Sequence, residues 1–139
     1  MDKTGLIPAR FITMIGHFVM LIMALNCRDT NVKACLPYSY DTEEYLGKDR
    51  ELVIGLSLGL AFLGVEIFGF LFGFSMFMPL AASISVAAHS FACILLSYWL
   101  IDTWDCVFFW WVFFLCSFIP GFVEICIITN MMVVKRIAC

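Results

Sequence analysis

Apolar and polar positions are segregated along this chain strongly enough to decide its class. Four apolar stretches, at about residues 9–27, 52–77, 80–101 and 107–134, alternate with short polar ones. Between Val53 and Ile101 the only acid is Glu66, and there is no Lys or Arg. Between Val107 and Val134 the only charge is Glu124. Apolar runs of about 18 residues or more have the length of membrane spans. Helices are then forced, because lipid offers backbone N–H and C=O groups no partner. The roughly ten-residue alternating segments of a transmembrane strand are absent. The pattern predicts an all-α polytopic membrane protein. It is one domain over residues 1–139, an antiparallel four-helix transmembrane bundle with one longer loop at 28–51.

The junctions refine this. The first stretch is apolar without interruption only from about Phe11 to Asn26, slightly short for a span, and is expected to reach 9–27 by borrowing Ala9 and Cys27 or to sit where the bilayer thins. Leu25-Asn26-Cys27 makes a poor small-x-small cleavage site, so the segment is read as a retained span. Ser75–Pro79 predicts a tight link, with Pro79 in the first turn of the third helix, where a missing N–H costs nothing. Asp102–Cys106 is the other short link, and both predict antiparallel neighbours. Pro120-Gly121 lies mid-span and is expected to kink the fourth helix. Asp41-x-x-Glu44 has the form of a capping box, predicting a helix from near Thr42 into the second span.

Each span carries one interior ionisable residue: His17, Glu66, His89 and Glu124. At ~1.5 Å per residue, the last three fall at similar depths near the midplane, with His17 closer to the termini. Each also lies on a face of small or polar residues. These faces are Thr13, His17, Met20 and Ala24; Gly55, Gly59, Phe62, Glu66, Gly69 and Gly73; Ala81, Ser85, His89, Cys93 and Ser97; and Ser117, Gly121 and Glu124. Small residues let helix backbones approach closely in lipid, so the ionisable groups are expected to point into the bundle. The same faces can pack a partner helix or a homo-oligomer. Two uses compete for the polar groups. One is intrabundle hydrogen bonding, each bond contributing about 0.6–2 kcal/mol. The other is a proton or cation path through Glu66, His89 and Glu124, since intramembrane ionisable residues are functional candidates by default.

Composition removes several classes. The chain is 63% hydrophobic and 14% charged, with mean hydropathy +1.01, against about 45–50% and about 25% for a soluble domain. Soluble and disordered proteins are excluded. A net charge of −3 without a basic patch excludes nucleic-acid binding. The seven cysteines form no C-x-x-C pair, and the two histidines lie in different spans, so no redox, metal or other cofactor is expected. No H-E-x-x-H or G-x-S-x-G motif occurs, and no enzyme is indicated. Cys139, beside Lys135 and Arg136, is a candidate for palmitoylation.

Orientation is not decided by Lys/Arg counting, since Lys3, Arg10, Lys135 and Arg136 balance Arg28, Lys33, Lys48 and Arg50. The terminal tails hold one acid, Asp2, whereas the loop side holds eight. Cys27, Cys35 and Cys106 also fall on the loop side, which permits disulfides if it is lumenal or extracellular. The termini are therefore expected in the cytoplasm. Cys35 and Cys106 can join the two loops, with Cys27 as a competing partner. Trp99, Trp104, Trp110 and Trp111 all fall at the loop end, as an aromatic belt at the headgroup level or as a partner- or sterol-binding surface. The expected surroundings are membrane lipid and protein partners, with the 28–51 loop as the recognition surface.

Several short motifs, in order, resemble a known family. They are Gly5-Leu6-Ile7-Pro8-Ala9-Arg10-Phe11, Arg28-Asp29-Thr30-Asn31 with Ala34-Cys35-Leu36-Pro37, Glu43-Glu44-Tyr45 and Val65-Glu66 with Gly69-Phe70. They continue with Gly73 and Ser75-Met76-Phe77, Ala88-His89, Trp104-Asp105-Cys106 and Glu124. Together they resemble the transmembrane protein 107 family, tetraspan proteins of the ciliary transition zone, over essentially the whole chain. The resemblance implies a non-enzymatic role in assembling the Meckel-syndrome module, with tectonic proteins, B9-domain proteins and other tetraspans as partners. It also implies a part in gating ciliary membrane composition. His17, Cys35, Glu66, His89, Cys106 and Glu124 fall within the family pattern, whereas Cys27 departs from it. The resemblance thus favours Cys35–Cys106 as the disulfide.

Overall fold

The computed structural model describes residues 3–139; Asp2, counted in the charge balance of the tails, lies outside them. Six α-helices follow in order: α1 (Lys3–Cys27), α2 (Asp29–Ala34), α3 (Thr42–Leu71), α4 (Pro79–Ile101), α5 (Cys106–Phe113) and α6 (Ile119–Ala138). A π-helical turn, Phe114–Phe118, joins α5 to α6 without a break. Four helical rods are long and apolar enough to cross a membrane among the described residues: Gly5–Cys27, Thr42–Leu71, Pro79–Ile101 and Cys106–Ala138. The fold is an all-α tetraspan bundle.

Local chemistry sets the ends. At the start of α3 the Asp41 carboxylate accepts from the Glu44 N–H at 2.8 Å, and the Glu44 side chain accepts from the Asp41 N–H at 3.2 Å. That capping box satisfies two orphan donors, so α3 runs for thirty residues and absorbs the second half of the expected loop. Pro79 occupies the first turn of α4. The expected kink at Pro120-Gly121 takes the form of the π-turn. Pro120 has no N–H to return to the preceding turn, and the widened turn lets Ile119 bond back to the Phe114 carbonyl instead.

The rods form a square. α1 packs against α4 and α3, and α6 packs against the same two, leaving α1/α6 and α3/α4 as diagonals. The expectation that short links join neighbours therefore fails for α3 and α4. The helix ends at Leu71, not Phe77, and the link spans 72–78. Seven residues can extend to roughly 23 Å, enough to cross a bundle whose neighbouring axes lie about 8–10 Å apart. Gly73, assigned above to a packing face, lies in this link. Its φ of 77° is the left-handed conformation glycine tolerates, and a Cβ there would meet nothing within 4 Å.

The core has two layers. The loop-side half is apolar: Leu21, Ala24, Leu52, Leu56, Leu96, Trp99, Phe109 and Val112 are all buried. Trp99 is thus not in the aromatic belt expected for it. It lies 5.5 Å from the Phe109 ring, and its indole N–H donates to the Asp105 carbonyl. That bond lets a large apolar ring enter the core without stranding its polar handle. Trp111 faces outward, and Trp104 and Trp110 are half-buried. The terminus-side half sets buried polar side chains among Leu6, Met14, Phe70 and Ala82.

Candidate functional site

The polar half is built from one or two side chains per rod. On α1 the buried positions are Leu6, Arg10, Met14, His17, Leu21 and Ala24, at three- and four-residue spacing. Arg10, counted with the terminal-side cations by its place in the sequence, is instead internal, with only 1% of its surface exposed. Its guanidinium donates to Glu124 Oε2 at 3.0 Å, to Ser75 Oγ at 2.9 Å and the Ser75 carbonyl at 3.3 Å, and to Ser85 Oγ at 3.2 Å. Ser85 in turn donates to Glu66 Oε2 at 3.1 Å. Glu66 Oε2 also lies 3.0 Å from His89 Nε2, and His89 Nδ1 lies 2.8 Å from His17 Nδ1. The four sequence-nominated residues therefore belong to one network, closed by Arg10, Ser75 and Ser85.

The network uses both diagonals of the square. Arg10–Glu124 joins α1 to α6, and Glu66 with His89 and Ser85 joins α3 to α4. Rods that share no packed face are thereby tied through the bundle centre. The two imidazoles thus share a hydrogen bond through their Nδ1 atoms, one donating and the other accepting, and His17 Nε2 is left without a partner among the described residues. Glu66 Oε1 and Glu124 Oε1 are likewise unpartnered there. From the level of Arg10 to that of His17 the network climbs about 10 Å along α1. It then meets the apolar layer. It sits nearer the termini than the sequence estimate, because α3 ends five residues after Glu66.

The glycines make room for these contacts. A Cβ on Gly69 would lie 1.9 Å from Glu124 Oε1 and 2.7 Å from its carboxyl carbon, so the carboxylate is seated on bare backbone. Gly121 receives Phe62 in the same way, and Gly55 receives Phe109 and Trp110. Gly59 faces Leu21 and Ser117 at ordinary contact distance. Ala81, nominated for packing, is half-buried, while Ala82 and Ser85 carry the buried face of α4.

On the loop side, Cys35 and Cys106 form a disulfide, which ties the end of α2 to the start of α5. Nearby, the buried Asn31 amide donates to the Trp99 carbonyl at 2.7 Å. Neither α2 nor the Asn31 contact was legible in sequence, because a polar residue in a polar loop carries no periodic signal. Arg28 pairs with Asp49, Lys33 with Asp29 and Lys48 with Glu51. The exposed Asp29 carboxyl is held below its ordinary range, chiefly by the Lys33 ammonium and then by the Tyr45 hydroxyl. No group of three His, Cys, Asp or Glu side chains is placed to hold a metal ion among the described residues.

Four spanning rods, a polar network turned wholly inward and a disulfide-tied loop face define a polytopic membrane protein of the tetraspan class. The family model TMEM107, described as a transmembrane protein, matches residues 6–128. Transmembrane protein 107 of Homo sapiens is 38% identical over 133 residues, covering 96% of this chain and 95% of the relative. The Rattus norvegicus protein of that name is 40% identical, covering 87% and 86%. The Xenopus laevis protein is 40% identical, covering 89% of each. The chain belongs to the transmembrane protein 107 family. No solved structure gives a significant match.

Proposed function

We propose that the chain is a non-enzymatic scaffold of the ciliary transition zone, helping to assemble the Meckel-syndrome module and to gate ciliary membrane composition. Family membership is the ground for the ciliary part of this reading. The observation that carries the scaffold part is the direction of the polar groups. Arg10, His17, Glu66, Ser85, His89 and Glu124 are all buried and bonded to one another, so they hold the rods together. The outer surface is left to lipid and to partner helices. The loop face, pinned by Cys35–Cys106, offers a fixed surface to the ectodomains of tectonic and similar partners.

The orientation with cytoplasmic termini belongs to the same proposal. Arg10 is internal and no longer counts as a flank, which leaves three cations on the terminal side against four on the loop side. The disulfide supports the opposite and stronger inference, because such bonds persist in oxidising compartments and not in the cytosol.

A hydrogen-bonded chain of ionisable groups is also what a proton path would use. Here it stops at His17, mid-span, against the apolar half of the core. Purified protein in liposomes with a pH-sensitive dye is expected to give no flux. The deciding test is imaging of an epitope-tagged copy at native expression in ciliated cells. A ring between basal body and axoneme is expected; diffuse plasma-membrane signal overturns the proposal.

A further inference from the structure

Outside the network, one polar side chain faces outward at a depth where lipid tails give it nothing to bond. Asn130 lies on α6 between Glu124 and Lys135, about 7.5 Å inside the level of that cation. It is exposed, as is every residue of α6 from Thr129 onward. Other exposed polar groups on the rods return their donors to their own backbone. Ser83 donates to the Pro79 carbonyl at 2.9 Å, Thr129 to that of Ile125 at 2.8 Å and Asn26 to that of Ile22 at 2.9 Å. The Asn130 amide has no hydrogen-bond partner among the described residues. The face around it is ordered. Ile119, Phe122, Cys126, Asn130, Val133 and Ile137 are all exposed, at the three- and four-residue spacing of a paired-helix seam. The buried residues Pro120, Gly121 and Glu124 occupy the opposite side of the helix. At about 100° per residue, Lys135 and Arg136 stand about 140° and about 120° around the helix from Asn130, in opposite senses. Lys135 is turned onto its own bundle, its ammonium 5.8 Å from the centroid of Phe74. The seam therefore carries no charge.

The apolar members of the seam are solvated by lipid tails as well as by another helix, so they select no partner. The amide does. In hydrocarbon it gains from an interhelical hydrogen bond, and it holds both a donor and an acceptor. It is therefore complementary to itself. Copies inserted in one orientation stand parallel, and a two-fold axis along the membrane normal sets each residue beside its counterpart at the same depth. We propose that α6 pairs with α6 of a second copy, Asn130 bonding to Asn130 across the two-fold axis. Val133 and Ile137 pack on one side of that bond, Phe122 and Cys126 on the other. A single polar residue in an apolar seam fixes register and the number of strands. A slip along this seam sets each amide against Cys126 or Val133 and loses the bond.

The full chain, labelled in separate batches with a donor and an acceptor fluorophore, is reconstituted in phosphatidylcholine vesicles over a range of protein-to-lipid ratios. Energy transfer between copies reads association. Saturable transfer of two-copy stoichiometry is expected. Asn130→Val removes only an exposed amide and should weaken association roughly tenfold. Asn130→Gln, which keeps the amide, should retain most of it. Crosslinking locates the seam, in a background with the free cysteines replaced by serine. Val133→Cys should form a disulfide between copies under mild oxidation, and Met132→Cys, on the far side of the helix from Asn130, should not. Transfer no greater than random proximity gives, at every ratio, overturns the proposal, as does undiminished association of the Asn130→Val chain. Crosslinking through Met132→Cys as readily as through Val133→Cys would overturn it equally.

Discussion

At the scale of single residues, Arg10 carries the largest consequence. Removing it leaves the Glu124 carboxylate buried without its cation, and breaking a buried pair from one side costs about 3–5 kcal/mol. Arg10→Met should therefore lower thermal stability in detergent sharply, and Arg10→Met/Glu124→Gln should recover much of the loss. A double variant no better than the single one would mean that the pair does not couple. Gly69 and Gly64 make a matched test on one helix. Alanine at 69 collides with the Glu124 carboxylate and should cost about 1–3 kcal/mol, whereas a Cβ at Gly64 meets nothing within 4 Å and should leave stability unchanged or slightly higher. On the loop face, the Asp29 carboxylate pairs with Lys33 at 2.6 Å and accepts from the Tyr45 hydroxyl at 2.7 Å. Its folded value is depressed, so the contact is fully present above the ordinary value of 3.8 and is lost as pH falls through the folded value. A carbon-detected NMR titration should place the Asp29 midpoint below 3.8, and Lys33→Gln should move it upward. The positions of His17, Glu66, His89 and Glu124 were legible in sequence because an ionisable residue inside an apolar run stands out. Arg10 was not, because a cation at the edge of such a run looks like a flank. Its signal was its place in the row Leu6, Arg10, Met14, His17, Leu21 and Ala24.

At the scale of elements, the Cys35–Cys106 bond closes a separation of 71 residues and fixes α2 and the α5 start to each other. A constraint over so long a loop is worth about 2–4 kcal/mol. Cys35→Ser should abolish the mobility difference between reducing and non-reducing gels and speed proteolysis near α2. An unchanged gel pattern in the parent chain would remove the bond. The beginning of α3 was legible to the residue, since Asp41 and Glu44 state a local rule that no tertiary contact overrides. The end of α3 was not. Phe72, Phe74 and Phe77 continue the apolar run, and hydrophobicity alone cannot distinguish a helix from a link that crosses the end of a bundle. The square arrangement was equally hidden, because link length constrains distance but does not select a side from a diagonal.

At the scale of the whole molecule, four rods divide their labour between a dry loop-side half and a bonded terminus-side half. Cysteine accessibility tests the orientation. With impermeant thiol reagents on intact cells, Cys27 should be modified from outside and Cys139 only after permeabilisation; the reverse pattern would invert the bundle. The diagonal bond from Arg10 to Glu124 has a further consequence, one of timing. The chain is made from its N-terminus, and 114 residues separate the two partners. At roughly 5–20 residues per second, α1 waits many seconds in the bilayer with its arginine unanswered before the matching carboxylate emerges. Until then the first helix is a poor guest in lipid, and a ribosome that stops short of residue 124 releases a product whose defect is already exposed. Completion of the core thus waits for the last span, and a copy that lacks it is marked by one buried cation without its carboxylate.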